Sequence, residues 1–126
     1  MALANSIEER TYKFAIRIVK AYKYLRTTHN EYVLSKQMLR SGTSIGAMMR
    51  EVKFAQSRAD FVSKTSIALK EANETLYWIE LLHDSEYIDD SSFNSIHNEA
   101  NEITSILASI VKTTKENSEK YDKTEL

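Results

Sequence analysis

The sequence predicts an all-α protein, specifically an antiparallel up-down four-helix bundle, on the strength of three observations. The 126 residues include no Pro and only two Gly, the residue types that most disfavour a helix interior. Apolar residues recur at three- and four-residue steps in four successive segments, as one face of an α-helix requires. The polar connections between these segments are short, which favours antiparallel neighbours. We expect a single domain over residues 1–126, with helices at roughly 6–26, 31–55, 58–85 and 90–115.

The first predicted helix begins at a capping box. In Ser6-Ile7-Glu8-Glu9 a serine is followed three residues later by a glutamate. The side chain of each of these two residues can then accept a hydrogen bond from the backbone N–H of the other. The apolar stripe of this helix comprises Ile7, Thr11, Phe14, Ile18, Tyr22 and Leu25. A polar turn follows, and Asn30 is the expected cap of the second helix.

The second predicted helix contains both glycines of the chain. Gly42 and Gly46 lie four residues apart, and therefore on one face of the helix. Two glycines lower its helix propensity by about 2 kcal/mol, a cost that close approach of a neighbouring helix would offset. The stripe of this helix comprises Leu34, Met38, Ser41, Ile45, Met48 or Met49, and Val52. We therefore expect Gly42 and Gly46 to mark a close helix–helix contact.

Polar caps also delimit the last two predicted helices. The segment Ser57-Arg58-Ala59-Asp60 marks the start of the third helix, and Asp89 or Asp90 caps the fourth. The third stripe comprises Phe61, Thr65, Ala68, Ala72, Leu76 and Ile79, and the fourth comprises Phe93, Ile96, Ala100, Ile103, Leu107 and Ile110. The polar tail from about residue 116 is expected to fray.

A second apolar face accompanies the main stripe of the third helix. It consists of Ile67, Tyr77, Trp78 and Leu81. One interpretation is a broad core face. The other is a subunit interface, in which Trp and Tyr anchors are buried by a partner. The second interpretation makes these four residues the candidate oligomer interface.

Composition excludes several classes of protein. With no Cys, the chain cannot form disulfides, thiolate metal sites or a Cys nucleophile. No apolar run approaches the length of a membrane span, and the first residues lack the basic and apolar segments of a secretory signal. We expect a cytoplasmic protein without membrane contact, cofactor, metal or small-molecule substrate.

The formal net charge of −1 hides a strong asymmetry. Residues 1–70 hold 13 Lys and Arg against 5 Asp and Glu, a net charge of +8. Residues 71–126 hold 4 Lys and Arg against 13 Asp and Glu, a net charge of −9. Such a division indicates an interaction surface. It is equally compatible with mutual attraction between the two halves of a bundle, or between neighbouring subunits.

Cations on the first two helices form a candidate nucleic-acid surface. Four of them step by three or four residues along one face of the first helix, two extend that face, and two follow on the second helix. They are Arg10, Lys13, Arg17, Lys20, Lys23, Arg26, Lys36 and Arg40. Clustered cations bind phosphates with release of counterions, and the nearby Tyr12 and Tyr24 could stack on unpaired bases. The alternative is a solvated Lys-rich face, which the sequence pI near 6.3 favours.

Two short motifs resemble catalytic signatures but lack the required context. Gly42-Thr43-Ser44-Ile45-Gly46 matches a nucleophile elbow, which needs a strand before it and a helix after it. Glu80 and His83 match half of a di-iron motif, which needs a second such pair and further glutamates. We therefore predict no catalytic residues.

Two segments resemble a known family. Residues 31–47 and residues 68–82 look like the four-helix-bundle proteins encoded in intervening sequences of bacterial large-subunit ribosomal RNA genes, and Phe61 also fits. The resemblance implies a four-helix bundle that assembles as a barrel-shaped homo-pentamer. It also implies kinship with the accessory protein of diversity-generating retroelements, whose basic barrel binds nucleic acid and a reverse transcriptase. The sequence departs from the family pattern at Met48, where Asn is usual, and at Val52, where a small Ala is common.

Together these observations predict a non-enzymatic oligomeric adaptor, with RNA or DNA binding through the basic face of its first two helices. The alternative is a protein-interaction scaffold without nucleic-acid binding. In that scaffold the two charged halves meet across subunit contacts. Burial of Arg10, Arg17 and Arg40 against acidic partners would favour it, and a continuous exposed basic surface would oppose it.

Overall fold

Four helices account for nearly all of the chain. A computed structural model describes the backbone of residues 2–125 and the side chains of residues 7–117. The helices are α1 (Ala2–Thr28), α2 (Leu34–Val52), α3 (Arg58–Asp84) and α4 (Asp90–Glu125). Over the described residues there is no strand, and the predicted all-α four-helix bundle is confirmed. Among these residues, none of the helices combines the length and apolar character that crossing a bilayer requires.

Neighbouring helices pack in chain order, and α4 closes the bundle against α1. The contacts of α1 with α2, α2 with α3 and α3 with α4 are all extensive, whereas the α1–α4 contact is much the thinnest. Helices α1 and α4 are antiparallel. Arg10 bonds to Glu99, whereas Arg17, which comes later in α1, bonds to Ser95, which comes earlier in α4. One seam of the bundle is therefore looser than the other three.

The predicted stripes form the core. Phe14, Ile18, Met38 and Ile79 are fully buried, and residues from all four helices contribute to one apolar cluster. Buried hydroxyls accompany them: Thr75 Oγ1 lies 2.9 Å from Ser41 Oγ across the α2–α3 contact. Helical periodicity identified most of this core because each helix presents one main apolar face to its neighbours, but it missed the buried Thr75 and Leu82 of α3.

Both glycines lie where α2 meets α1. A Cβ at Gly42 would lie 2.8 Å from Cγ1 of the buried Ile18. A Cβ at Gly46 would lie 3.2 Å from the carbonyl oxygen of Thr11. The missing side chains therefore allow the α1 backbone to approach α2 more closely than alanine would.

The α1–α2 connection differs from the predicted one. Asn30 has a φ of 52°, and the N–H of Glu31 donates to the carbonyl of Leu25, six residues earlier, at 3.1 Å, so α1 ends at a left-handed residue. Asn30 therefore terminates α1 and does not cap α2, because Asn tolerates the left-handed conformation that this ending needs. The cap of α2 is the Glu31 carboxylate, which accepts the backbone N–H groups of Leu34 and Ser35, both at 2.7 Å.

Helix α3 also ends at a left-handed residue, here in a Schellman motif and at a residue less favourable than Asn. Glu86 has a φ of 69°, and the N–H of Tyr87 donates to the carbonyl of Leu82 at 2.9 Å. The Asp89 carboxylate then accepts the N–H of Ser92 at 2.7 Å, so Asp89 is the cap of α4. At the start of α3, the Ser57 hydroxyl accepts the N–H of Asp60 at 3.0 Å, as predicted.

The helix ends depart from the expected positions elsewhere. The backbone is already helical at Ala2, because Ala and Leu are strong helix formers. Ser6 consequently lies inside α1 and not at its start, and its side chain is outside the described residues. Helix α2 begins at Leu34 and ends at Val52, three residues short of the predicted range at each end. The α4 backbone is helical to Glu125, and fraying of this tail stays a prediction.

Candidate interaction surfaces

Arg10, the first of the predicted nucleic-acid residues, is engaged by α4. Its guanidinium donates to both carboxylate oxygens of Glu99, at 3.3 and 3.0 Å, and also to Glu102. The hydrogen bond to Glu99, followed by that to Glu102, raises the pKa of Arg10. A guanidinium held by two carboxylates carries little net positive charge toward solvent, so Arg10 joins α1 to α4 instead of presenting a phosphate site.

Arg40 is engaged in the same way by α3. Its Nη2 lies 2.5 Å from Glu74 Oε2, and its Nη1 lies 3.5 Å from Glu71 Oε2. The hydrogen bond to Glu74 raises the pKa of Arg40. At the other end of α2, Lys53 pairs with Glu8 of α1 at 2.7 Å. The basic first half and the acidic second half therefore attract each other within one chain, through α1–α4 and α2–α3 pairs.

Three of the other predicted cations lie toward the end of the bundle where α1 finishes and α2 begins. Within residues 7–117, no ion pair involves Lys20, Lys23 or Lys36, and all three are exposed. Lys36 lies at the level of Lys23, because Gly42 packs on Ile18 and the two helices run in opposite directions. We call Lys20, Lys23 and Lys36 the lysine cluster.

The predicted continuous face along α1 twists around the helix. Arg17 donates to Ser95 Oγ of α4 at 2.8 Å, whereas Arg26 lies 5.7 Å over the ring of Tyr32, just before α2. A three-residue step falls about 60° short of a full turn of 3.6 residues, so Lys23 and Arg26 do not extend the face of Arg17. Lys13 pairs with Glu9 on its own helix at 2.9 Å. The eight predicted residues thus point in several directions.

The outer face of α3 carries the predicted oligomer residues. Tyr77 is 57% and Ile67 43% exposed, while Trp78 and Leu81 are half-buried. Tyr77 and Trp78 make an edge-to-face contact with ring centroids 4.9 Å apart. The Trp78 Nε1 is buried, and among residues 7–117 no acceptor bonds to it. These four residues are the α3 outer face, and they lie outside the main core stripe.

The outer face of α1 carries further apolar side chains. Tyr12 is 55% and Ile16 41% exposed, one helical turn apart. The guanidinium of Arg50 lies 5.6 Å over the Tyr12 ring. Sequence reasoning treated Tyr12 as a partner of the basic stripe and missed Ile16. The available signal was the position of both residues opposite Phe14 on the helix.

The motifs that resembled catalytic signatures have structural roles. Ser44 lies inside α2 and donates its hydroxyl to the carbonyl of Arg40 at 2.6 Å. His83 Nε2 lies 2.7 Å from Asp90, whereas Glu80 lies 2.9 Å from His97. Glu80 and His83 are therefore each bonded to a different side chain. Among the described residues, no group of three or more His, Asp and Glu could hold a metal ion.

Fold and surfaces together define a four-helix-bundle protein with apolar outer faces and with ion pairs between α1 and α4 and between α2 and α3. The sequence model of the 23S rRNA-intervening sequence protein family matches residues 4–109, and the chain belongs to that family. Met48, which replaces the usual Asn, is half-buried and packs against the core.

A solved structure supports the same conclusion. The chain is 54% identical to a protein of unknown function from the S23 ribosomal protein family of Bacteroides thetaiotaomicron, with a TM-score of 0.85. The similarity covers 87% of this chain and 98% of that one. No curated protein matches the chain.

Proposed function

We propose that this protein is a non-enzymatic homo-oligomeric adaptor that acts through protein–protein contacts. The observation that carries the proposal is the α3 outer face, where Tyr77 and Ile67 are exposed beside a half-buried Trp78. Large aromatic side chains are the commonest energetic anchors of protein interfaces.

The distribution of charge supports assembly into a closed ring. The lysine cluster lies at the same end of the bundle as Asp84, Glu86, Asp89 and Asp90, which belong to the α3–α4 side and are exposed. In a ring, each subunit presents one surface to one neighbour and a different surface to the other. Two unlike surfaces of opposite charge suit such a contact, and a homo-pentamer is the assembly we expect.

Light scattering coupled to size-exclusion chromatography tests the oligomer. A mass about five times that of the 14.5 kDa chain is the expected result. Substitution of Tyr77→Glu together with Ile67→Glu should reduce that mass, because two carboxylates cannot be buried in an apolar contact. Phe54→Glu, at an exposed aromatic residue in the α2–α3 connection, is the control and should leave the assembly intact. A wild-type mass near 14.5 kDa would rule out the proposal.

A second candidate function, contact with RNA or DNA, rests on the lysine cluster. Its three ammonium groups have no carboxylate partner among residues 7–117, and Tyr24 and Tyr32 are exposed nearby. Ammonium groups that bind phosphates release counterions, so the affinity should fall steeply as salt rises.

An electrophoretic shift assay at about 50 and about 200 mM salt tests this second function. The triple substitution Lys20→Gln, Lys23→Gln and Lys36→Gln should abolish retardation. Lys112→Gln with Lys115→Gln, at the other end of the bundle, should preserve most of it. Absence of retardation of either nucleic acid by the intact oligomer at the lower salt concentration would exclude nucleic-acid binding and leave the scaffold.

A further inference from the structure

The loose seam between α1 and α4 opens into a cleft near the end of the bundle. The cleft has a volume of about 390 Å³ and lies between the second half of α1 and the start of α4. Ligand pockets in proteins have volumes of roughly 300–1,000 Å³. The cleft is therefore large enough for a small molecule and too small for a folded segment.

Apolar side chains form the floor of this cleft. Ala21, Leu25, Ile88 and Ile96 line it, and Leu25 is 1% exposed. These residues belong to the core or pack against it, so the floor is preformed and rigid. A preformed apolar floor binds apolar groups without the entropic cost of ordering itself.

Cations stand on the wall of the cleft. Arg17 and Lys20 line it from α1. Arg17 binds a neutral hydroxyl, Ser95 Oγ, at 2.8 Å, and within residues 7–117 Lys20 has no ion pair. Arg17 and Lys20 therefore retain their positive charge toward the cleft.

One acidic residue also lines the cleft, but its oxygens are already engaged. Asp89 accepts the backbone N–H of Ser92 at 2.7 Å and the Ser92 hydroxyl at 3.3 Å. The lining contains two cations from α1 and this one carboxylate, so its net charge is positive. Further along the same seam, Arg10 is neutralised by Glu99 and Glu102. The seam is thus neutral where its helices are tied together and cationic where it is open.

We propose that this cleft binds a small amphipathic anion, with an apolar body on the floor and a carboxylate or phosphate group against Arg17 and Lys20. A planar guanidinium can bind either group through two parallel N–H bonds. The apolar floor excludes inorganic anions as the preferred ligand, because they would leave it exposed to water. This site is independent of the α3 outer face, and Lys20 is the one residue that it shares with the lysine cluster.

Fluorescence titration with 1-anilinonaphthalene-8-sulfonate, an apolar ring system with one anionic group, tests the site on the full chain. The probe should bind and should be displaced by octanoate or by octyl phosphate, and the stronger competitor identifies the preferred head group. Octanol has the same tail without the charge and should compete at least tenfold more weakly. Equal competition by octanol, or no displacement by either anion, would overturn the proposal.

Two variants locate the bound probe. Arg17→Gln with Lys20→Gln should weaken binding at least tenfold, whereas Lys112→Gln with Lys115→Gln makes the same change in charge far from the cleft and should not. Ser91→Trp places a bulky side chain at an exposed position of the cleft rim and should block entry without disturbing the core. Unchanged probe binding in Ser91→Trp would assign the fluorescence to another surface and refute the cleft as the site.

Discussion

The Glu31 carboxylate accepts the backbone N–H of Ser35 at 2.7 Å, while the Glu31 carbonyl accepts the Ser35 hydroxyl at 2.8 Å. This reciprocal pair is buried at the start of α2, since Glu31 is 7% and Ser35 0% exposed. Glu31 lies four residues before the Ser35 amide. It accepts this free N–H at the start of the helix, which a Ser or Asp at the cap position usually does. The start of α2 thus depends on one buried carboxylate.

Replacement of Glu31 should destabilise the fold. We expect Glu31→Ala to lower the free energy of unfolding by about 2 kcal/mol, because the end amides of α2 lose their acceptor. Urea denaturation followed by circular dichroism measures the change. Glu51→Ala, at an exposed position near the other end of α2, serves as control and should change stability by less than about 0.5 kcal/mol.

The same carboxylate should make stability depend on acid pH. Burial tends to raise the pKa of Glu31, but hydrogen bonds from Ser35, Leu34 and Val33 outweigh it and lower that pKa below 4.5. A depressed folded-state pKa contributes stability above the unfolded-state value that is lost as pH falls through the folded-state value. Unfolding at pH 6 and pH 3 should therefore differ more for the wild type than for Glu31→Gln. Equal losses would show that other carboxylates govern acid unfolding.

Glu86 is expected to be a site of avoidable strain. With a φ of 69°, it adopts the left-handed backbone conformation, which favours Gly and, to a lesser degree, Asn. We expect Glu86→Gly to raise the free energy of unfolding by about 1 kcal/mol. Asn30→Gly, at the left-handed residue after α1, should raise the free energy of unfolding by less, because Asn already tolerates this conformation. A thermal melt of both variants checks the difference, and destabilisation by Glu86→Gly would contradict it.

Gly42→Ala should destabilise the protein although alanine favours helices. The added Cβ would lie 2.8 Å from Cγ1 and 2.9 Å from Cγ2 of Ile18, which is fully buried. Overpacking costs about 1–3 kcal/mol and the gain in helix propensity is about 1 kcal/mol, so a net loss near 1 kcal/mol is expected. Gln37→Ala, exposed on the same helix, should be neutral or slightly stabilising in the same urea titration.

His83 should make the α3–α4 connection sensitive to pH near neutrality. Its hydrogen bond to Asp90, with a second to Asp84, raises its pKa above 6.5, and its ring stacks on Phe93 with centroids 4.0 Å apart. A raised folded-state pKa contributes stability that is complete below the unfolded-state value and is lost as pH rises through the folded-state value. The wild type should therefore lose stability relative to His83→Gln from about pH 6.5 upward.

Two measurements check the assignment to His83. An NMR titration of the three histidines should show His83 with a pKa above that of an unfolded peptide. His97 also faces a carboxylate, Glu80 at 2.9 Å, so His97→Gln is the necessary control in the stability measurement. Loss of the pH dependence in His97→Gln, and not in His83→Gln, would transfer the effect to His97.

Periodicity alone identified the helices and most of the core. The predicted stripe residues Phe14, Met38, Ile79 and Leu107 are all fully buried, because apolar side chains three and four residues apart must share one face of a helix. The cap at Ser57 was predictable for a similar reason, since it acts on an amide three residues away. The cap of α2 was not, because Glu31 was assigned to the helix that it caps from outside.

By itself, the sequence determined that this chain is a four-helix bundle with a basic first half and an acidic second half, because both properties are local or additive along the chain. Only the tertiary structure decided which charges are paired. Arg10 and Arg40 meet glutamates 89 and 34 residues away, and such partners follow from the register between helices. The cleft beside Arg17 and Lys20 likewise exists only because α4 closes more loosely on α1 than the other helices close on each other.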